Sequence, residues 1–445
     1  MAQPRDWKQE TIDLISTYLR INTTNPPGNE TAAASFFADI FKREGVAHAV
    51  WESKPGRGSI MARIPRDAGA KAPDPGALVL MHHSDVVPAD ASQWSFDPFG
   101  GEVKDGYVHG RGALDTKGLG IMELMAFLTA KREGLPLSRD LVFLAAADEE
   151  MGADWGVDWL FKHHYDEIAA SLVINEGGVG ISDLIGGKFL HMVATGEKGL
   201  CWLELVRTGP PGHGSTPHGQ NALEKLNLAL TRLLAAPIPY EVKPAVAEYF
   251  RNLARGWDFL KPYGDDGRPE TLIRLLTETG LIANPQLSAM LKNTISLNVM
   301  NAGDKTNSIP GRAVAHLDVR LLPEVDMEAF IAWIKKTLAD DEIQINYLHT
   351  STANQSPFDT EPYRIIAEVM ERHYPGSVVT PSLLTGGSDS RFYRDKGVPT
   401  YGICPAVVSM ADVTGMIHGV NEKISVDNMI TGTEVISDIV KRLCT

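Results

Sequence analysis

Short apolar runs that end in acidic or histidine side chains are the feature that most constrains how this chain can fold. Three such runs are predicted β-strands, at residues 77–82, 140–147 and 171–175. Segments with helical periodicity lie between or beside them, near 117–134 and 154–164. This alternation favours an α/β layer with a largely parallel sheet. Because open α/β sheets bind ligands outside the carboxyl ends of their strands, the polar residues at those ends are candidate site residues.

The first run ends in MHHSDVVP, with His83 and Asp85 two positions apart. In an extended chain both side chains point to the same side, and His82 points to the other. The Asp85 carboxylate can then bond the His83 imidazole and orient it, as often happens beside a metal ligand. Taken alone, the pattern fits an ordinary polar strand end equally well.

Asp115 lies in the glycine-rich sequence GRGALDTKGLG, directly before the predicted helix at 117–134. Flexible backbone around a carboxylate allows close approach to a ligand or cation. Capping of the helix by Asp115 explains the position equally well when the motif is viewed alone. The glycines do not follow the order G-x-x-x-x-G-K-[ST], which argues against a phosphate-binding loop.

Carboxylates also end the second and third runs. The second ends in Asp148, Glu149 and Glu150, and the third in Glu176 followed by two glycines. Adjacent carboxylates repel one another unless cations compensate. Because neighbouring side chains diverge on an extended chain, one glutamate can bind a metal while the other faces a water molecule. The three strand ends together favour a site for two borderline cations such as zinc.

The motifs of the chain stand in the order found in a known family. HHSDVVP, GRGALDTKG, DEE, NEGG, PGHGSTP, NSIPGRAVAHLDVR, GGSDSRF and IHGVNE are similar to motifs of the dizinc metallopeptidase family of aminoacylase, carboxypeptidase G, acetylornithine deacetylase and succinyl-diaminopimelate desuccinylase. The resemblance spans nearly the whole chain, from about residue 10 to 440. It implies a metal-dependent hydrolase.

Carried over residue by residue, the resemblance implies two zinc sites that share one carboxylate. Asp115 is the residue expected to bridge both ions. His83 and Glu176 would complete one site, and Glu150 and His418 would complete the other. Cobalt or manganese could occupy the same nitrogen and oxygen ligands.

The resemblance also implies catalytic residues. Glu149 would take a proton from the water between the metals and later give it to the leaving amine. Asp85 would orient the histidine ligand, and the peptide bond after Asp115 would be cis. His213, in PGHGSTP, would reach from one subunit into the active site of the other and stabilise the oxyanion.

Substrate binding has four candidate residues. Asn307 resembles a family residue that contacts the substrate carbonyl or carboxylate. Arg320 and Arg391 could each hold a free carboxylate through two parallel hydrogen bonds, and Gly387 lies in the same GGSDSRF motif as Arg391. An ordinary salt bridge is the alternative explanation for each arginine.

The character of the chain changes after Glu176. Alternating strands such as 313–323 and 342–350, with a helix at 327–339, indicate a smaller α+β unit with an antiparallel sheet. Because His418 must return to the metals bound by the first part, we interpret the middle unit as an insertion.

We expect a catalytic domain formed by residues 1–194 and 357–445, interrupted by an inserted domain at 195–356. The resemblance implies that the insertion is a lid that also forms a homodimer interface. Two amphipathic helices predicted within 240–295 either add to the packing of the lid or narrow the substrate pocket. Residues 65–76, rich in alanine, glycine and proline, are predicted to form a loop.

Composition and charge limit which kinds of partner and which location are expected for the protein. The net charge of −14 disfavours nucleic acid or an anionic membrane. The chain contains three cysteines, far apart and without a CxxC pair, which gives no sign of a disulfide framework or thiolate metal site. The polar start has no signal-peptide core, and no apolar run is long enough to span a membrane, so we expect a cytoplasmic protein.

The predicted activity is hydrolysis of an amide bond that releases an amino acid with a free carboxylate. An N-acyl-amino-acid deacylase, a carboxypeptidase and a dipeptidase all need the same core, so the substrate is a small peptide or an N-acyl amino acid. A dizinc hydrolase of an ester, carbamate or cyclic amide would have similar residues around the water. A catalytically silent metal-binding homologue is the other alternative.

Overall fold

Strands and helices alternate along the chain in the computed structural model, which describes residues 6–68, 76–185 and 188–445. Most of the loop predicted at 65–76 lies outside the described residues. The helices are α1 (Trp7–Leu19), α2 (Glu30–Arg43), α3 (Lys117–Glu133), α4 (Val157–His163), α5 (Tyr165–Ile168), α6 (Ala222–Ala235), α7 (Pro244–Leu253), α8 (Lys261–Asp266), α9 (Pro269–Glu278), α10 (Pro285–Met290), α11 (Met327–Leu338), α12 (Glu361–His373), α13 (Ser390–Asp395), α14 (Met410–Met416) and α15 (Val426–Cys444). The strands are β1 (Ala47–Glu52), β2 (Gly58–Ile64), β3 (Leu78–His83), β4 (Glu102–Lys104), β5 (Tyr107–His109), β6 (Leu141–Ala146), β7 (Leu172–Ile185), β8 (Lys188–Glu197), β9 (Gly199–Thr208), β10 (Gly212–His213), β11 (Thr294–Ala302), β12 (Ser308–Ile309), β13 (Arg312–Leu321), β14 (Gln344–Ser351), β15 (Asn354–Gln355), β16 (Val378–Leu384), β17 (Thr400–Val408) and β18 (Lys423–Ser425).

The large sheet has the order β1-β2-β6-β3-β7-β17-β8-β15, with β16 paired to β8. Strands β6, β3, β7 and β17 are parallel neighbours, and β2 and β8 add antiparallel pairings to this centre. The mostly parallel α/β sheet predicted from the sequence is therefore confirmed. Strand β3 has β6 on one side and β7 on the other. The strand order reverses there, so the crevice outside the carboxyl ends of these three strands is where a ligand is expected to bind.

Helices cover both faces of this sheet. Helices α1, α2, α3, α12 and α15 form one layer, and α4, α5 and α13 form the other. Along β3, Leu78 and Leu80 pack into the first layer, whereas Val79 and Met81 pack into the second. This is the alternation expected of a strand buried on both faces, and it explains why residues 78–81 are all apolar.

A second, smaller sheet has the order β11-β13-β9-β14, and every pairing in it is antiparallel. Helices α6 and α11 pack on one of its faces. The α+β character predicted for the middle of the chain is confirmed. The boundaries at 195 and 356 stay predictions, although all four strands fall between them.

Helices α7 to α10 pack on the large sheet rather than on the small one. Val246, Phe250 and Leu276 share an apolar cluster with Leu190 of β8 and Leu383 of β16. The segment at 240–295, whose role the sequence leaves open, is therefore not packing of the small sheet. Within the described part of the chain, no helix combines the length and the apolar character needed to cross a bilayer.

Candidate metal and catalytic site

The predicted site residues lie at the carboxyl ends of the central strands. His83 is the last residue of β3, and Glu149 and Glu150 begin a 3-10 turn that is separated from the end of β6 by two residues. Asp115 lies just before α3, and His418 follows α14. Loops from distant parts of the sequence thus meet at one edge of the sheet.

Glu176 lies within β7, whereas the sequence predicts that the strand ends before it. The pairing of β7 with β17 becomes irregular here, since Asn175 pairs with Gly402 and Val179 with Cys404. Three residues of β7 therefore oppose one of β17, a bulge that turns a side chain out of the regular alternation. Gly178 permits it, because a Cβ there would lie 1.9 Å from the carbonyl oxygen of Met192.

Five side chains form two groups of potential metal ligands that share Asp115. In the His83 group, His83 Nε2 lies 3.0 Å from Asp115 Oδ1 and 3.6 Å from Glu176 Oε2. In the His418 group, His418 Nε2 lies 3.2 Å from Asp115 Oδ2 and 3.3 Å from Glu150 Oε2. Each carboxylate oxygen of Asp115 therefore faces a different group.

The donor atoms fit a pair of divalent cations. Imidazole nitrogen and carboxylate oxygen are ligands for zinc, and cobalt or manganese accept the same set. With zinc–ligand bonds of about 2.0–2.2 Å, the edges of a tetrahedral shell measure about 3.3–3.6 Å, close to the separations in both groups. Glu150 Oε1 is buried without a hydrogen-bond partner, as expected of an atom that serves a ligand.

Electrostatics in the site favour positive charge. Hydrogen bonds to Asp115 and Glu150 raise the pKa of His418 to about 10. Burial opposes ionisation of the Asp115 carboxyl, but hydrogen bonds from His418 and His83 bring its pKa below the usual range. Burial raises the pKa of Glu150. Carboxylates that draw protons onto neighbouring imidazoles in this way would also stabilise metal cations.

Asp85 contacts both His83 and the turn Glu149–Met151. The carbonyl oxygen of Asp85 lies 3.0 Å from His83 Nδ1, whereas its nearest carboxylate oxygen lies 3.6 Å away, too far for a good hydrogen bond. The carboxylate instead accepts hydrogen bonds from the backbone N–H of Glu149, at 3.2 Å, and of Glu150, at 3.1 Å. The sequence predicts a bond from the Asp85 carboxylate to His83, whereas the backbone carbonyl of Asp85 makes that contact. The sequence gives no sign of the contact between the carboxylate and the turn.

We expect Asp85→Asn to weaken metal binding and kcat/KM by roughly 10–100-fold, the usual cost of losing a group that orients a ligand. The amide would present N–H groups to the backbone donors of Glu149 and Glu150. Chelator competition and steady-state kinetics measure both quantities. Asp90→Asn is the matched control, because Asp90 is an exposed aspartate in a surface turn. Equal behaviour of the two variants would contradict this role.

Asp85 also accepts a hydrogen bond from a buried network of polar side chains that the sequence analysis missed. Asn25 Nδ2 donates to Asp85 Oδ2 at 2.8 Å and to Asp148 Oδ1 at 3.1 Å. Arg57 donates to Asn25 Oδ1 and to Glu30 Oε1, both at 2.5 Å, and lies 3.1 Å from Asp148. The NPPG sequence around Asn25, in which both X-Pro peptides are cis, is the sequence feature that could have indicated a turn at this position.

The peptide between Asp115 and Thr116 is also cis, as the resemblance implies.

The two candidate arginines have different surroundings. Arg391 lies beside the turn Glu149–Met151, where it donates to the carbonyl oxygens of Gly152 at 3.0 Å and Ser388 at 2.9 Å. Gly387 is close to its guanidinium. The guanidinium of Arg320 makes two hydrogen bonds to the Asp318 carboxylate in β13, at 2.7 and 3.1 Å, which is the salt bridge considered as the alternative. Substrate binding by either arginine stays a prediction.

His213 and Asn307 lie together on the unit of the small sheet. His213 pairs with Ser308 across β10 and β12, and Gly214 N–H donates to the carbonyl of Asn307. Both side chains are exposed. Among the described residues, neither belongs to the two groups of potential metal ligands in the same chain. Their predicted roles remain untested.

Comparison with known proteins identifies the family. Residues 79–442 match the model of Peptidase family M20/M25/M40. The chain is 29% identical over 355 residues to N-fatty-acyl-amino acid synthase/hydrolase PM20D1 of Xenopus tropicalis, covering 78% of this chain and 68% of that protein. It is 24% identical over 448 residues to Aminoacylase-1 of Sus scrofa, covering 99% and 97%.

Solved structures agree on the fold. The M20 family metallo-carboxypeptidase Sso-CP2 from Sulfolobus solfataricus superimposes with a TM-score of 0.71 at 19% identity, covering 98% of this chain and 99% of that one. The dipeptidase Dug1p from Saccharomyces cerevisiae gives a TM-score of 0.67 at 15% identity, covering 98% and 95%. The resemblance drawn from the motifs is confirmed: the chain belongs to Peptidase family M20/M25/M40 and is a metal-dependent hydrolase of amide bonds.

Proposed function

We propose that this enzyme releases an amino acid with a free carboxylate from an N-acyl amino acid or a small peptide, using two zinc ions. The observation that carries the proposal is the pair of ligand groups that meet at Asp115, one on each carboxylate oxygen. The relatives named as an N-fatty-acyl-amino acid hydrolase and an aminoacylase make N-acyl amino acids the first substrates to test.

Asp115 would bridge the two ions, with His83 and Glu176 on one and Glu150 and His418 on the other. Bound zinc supplies a Lewis acid and lowers the pKa of a coordinated water towards about 7. The protein supplies fixed positions for the ligands, because two of them stand on adjacent parallel strands, β3 and β7.

Glu149 would be the general base. It lies outside both ligand groups although it directly precedes Glu150. Its backbone N–H is held by the Asp85 carboxylate, so its position is set without ligation of a metal. A carboxylate in this place can take a proton from water and later return it to the leaving amine, as general acid–base catalysis requires.

His213 would stabilise the oxyanion in the active site of a partner subunit, which makes the enzyme a homodimer. The support is the exposure of His213 on the small-sheet unit, apart from the ligand groups of its own chain. Asn307, on the neighbouring loop, would contact the carbonyl or carboxylate of the substrate. A cytoplasmic location, with three buried cysteines as free thiols, completes the proposal.

Subunit mixing tests the role of His213 across the dimer. We expect His213→Ala and Glu149→Gln each to be inactive alone. After dissociation and random reassociation in equal amounts, about a quarter of the unaltered activity should return, since half of the dimers then carry one complete site of two. If His213 acts within its own chain, no hybrid contains a complete site, and mixing restores nothing.

Metal removal and readdition tests the activity itself. Metal-stripped protein is assayed with and without zinc on a panel of N-acyl amino acids and dipeptides, with matching esters and carbamates. We expect zinc-dependent release of a free amino acid from the amides. Preference for the esters or carbamates would overturn the proposed bond type, and binding of two ions without any turnover would indicate a catalytically silent homologue.

A further inference from the structure

A buried carboxylate accepts hydrogen bonds from the loop that carries Asp115. Glu422 is fully buried, and its Oε2 accepts hydrogen bonds from Gly112 N–H at 2.9 Å and Arg111 Nη1 at 2.8 Å. Its Oε1 accepts from Leu114 N–H at 2.7 Å and Asp115 N–H at 3.0 Å. In all four contacts the partners are more than three hundred residues apart in sequence. The contacts therefore join the first and the second part of the predicted catalytic domain.

Arg111, which donates to Glu422, also contacts the loop that carries His418. Arg111 Nη2 donates to the carbonyl oxygen of Gly419 at 2.5 Å, and its Nη1 lies 3.3 Å from that of Met416. These carbonyls belong to residues on either side of His418. Arg111 is itself only 2% exposed, so its charge is balanced by Glu422 rather than by water.

We propose that Glu422 and Arg111 are a positioning pair that fixes Asp115 relative to His418, and that metal binding by the His418 group depends on this pair more than binding by the His83 group. The proposal rests on the two-metal function proposed above. It concerns a glutamate in the IHGVNE motif for which the catalytic assignment has no role.

The difference between the groups follows from where their ligands are attached. In the His83 group, His83 ends β3 and Glu176 lies in β7, and these strands are hydrogen-bonded neighbours. In that group Asp115 alone is held by the pair. In the His418 group both Asp115 and His418 stand on loops that the pair joins. Loosening the pair therefore disturbs two of three ligands in one group and one of three in the other.

Glu422→Gln removes the charge with almost no change of volume. The amide can accept hydrogen bonds through one oxygen only, and its NH2 would face N–H donors of the Asp115 loop. It would also leave the Arg111 guanidinium buried without a counter-charge, which is costly in a site of low dielectric.

The test is titration of metal-free protein with zinc or cobalt, resolving the two binding steps. His418→Ala and Glu176→Ala identify which step belongs to which group. For Glu422→Gln we expect the step of the His418 group to weaken by roughly 10–100-fold, and the other step by less than about threefold. Arg111→Met should give the same pattern, and the double variant should add little to it, because the two residues act as a unit.

Ile424→Ala is the matched control. Ile424 is buried in β18, two residues beyond Glu422, so its truncation loosens the same segment without removing the carboxylate. Thermal unfolding of each metal-free variant measures that general loosening. If Ile424→Ala weakens the same step as selectively as Glu422→Gln does, the inference is wrong.

Other outcomes are equally decisive. Should Glu422→Gln fail to fold, Glu422→Asp keeps the charge but shortens its reach, and we expect the same selective loss to a smaller extent. If the unaltered protein binds two ions and Glu422→Gln binds both with the same affinities, this inference alone is wrong. An unaltered protein that binds no ion at either group overturns the proposed function as well.

Discussion

Glu149→Gln should lower kcat by roughly 10²–10⁴-fold, the range that general acid–base catalysis contributes, while both metals stay bound. Glutamine fills the same volume and keeps the backbone N–H that donates to Asp85 at 3.2 Å, so the turn that carries Glu150 should not move. The amide cannot accept the proton of the attacking water. Turnover and metal content are measured on the same sample, with release of free amino acid as the readout.

The control for Glu149→Gln is Glu102→Gln, a glutamate in β4 whose side chain is exposed. It should keep the kcat of the unaltered enzyme. Activity of Glu149→Gln within a few-fold of that value would remove Glu149 from the role of base. Loss of metal together with activity would instead make Glu149 a ligand, which its place outside both ligand groups argues against.

The fold was predictable because its signal is local and repeated. Residues 78–81 of β3 and the whole of β6 are apolar, since both faces of each strand are buried, and polar or charged residues follow each apolar run. Parallel strands with such ends place their polar residues at one edge. His83 and Glu150 could therefore be expected together before any distance was known.

Where the sequence misled, a local pattern had two structural solutions. Two glycines after Glu176 indicate the end of a strand, but here they allow a bulge within a longer β7. Arg320 was open to either of two interpretations, although Asp318 two positions earlier lies on the same face of the strand and was a visible partner. The amphipathic helices at 240–295 show an apolar face without showing which of two sheets it covers.

The polar contacts that support the site from outside the ligand groups could not be predicted. Glu422 reaches a loop 307 residues away from it at Asp115, and Asn25 bonds a carboxylate 60 residues away. Neither contact produces a periodic pattern of residue types in the sequence. A buried hydrogen bond depends on the geometry of both partners, and that geometry exists only once the sheet has brought the loops together.

Asp115→Ala should remove both ions at once, which no other single ligand substitution is expected to do. Its Oδ1 faces His83 and its Oδ2 faces His418, so truncation takes one ligand from each group. We expect metal content near zero under conditions in which His418→Ala keeps about one ion per chain, because a catalytic zinc site usually has three protein ligands.

Thermal unfolding gives an independent readout of the same change. An ion that binds only the native state raises the stability in proportion to the logarithm of its concentration over its dissociation constant. Added zinc should therefore raise the Tm of the unaltered protein strongly, that of His418→Ala less, and that of Asp115→Ala hardly at all. If Asp115→Ala retains both ions and the full zinc-dependent rise in Tm, the shared carboxylate is not a bridge. The two groups would then have to bind their metals independently, through atoms other than the two oxygens that now face them.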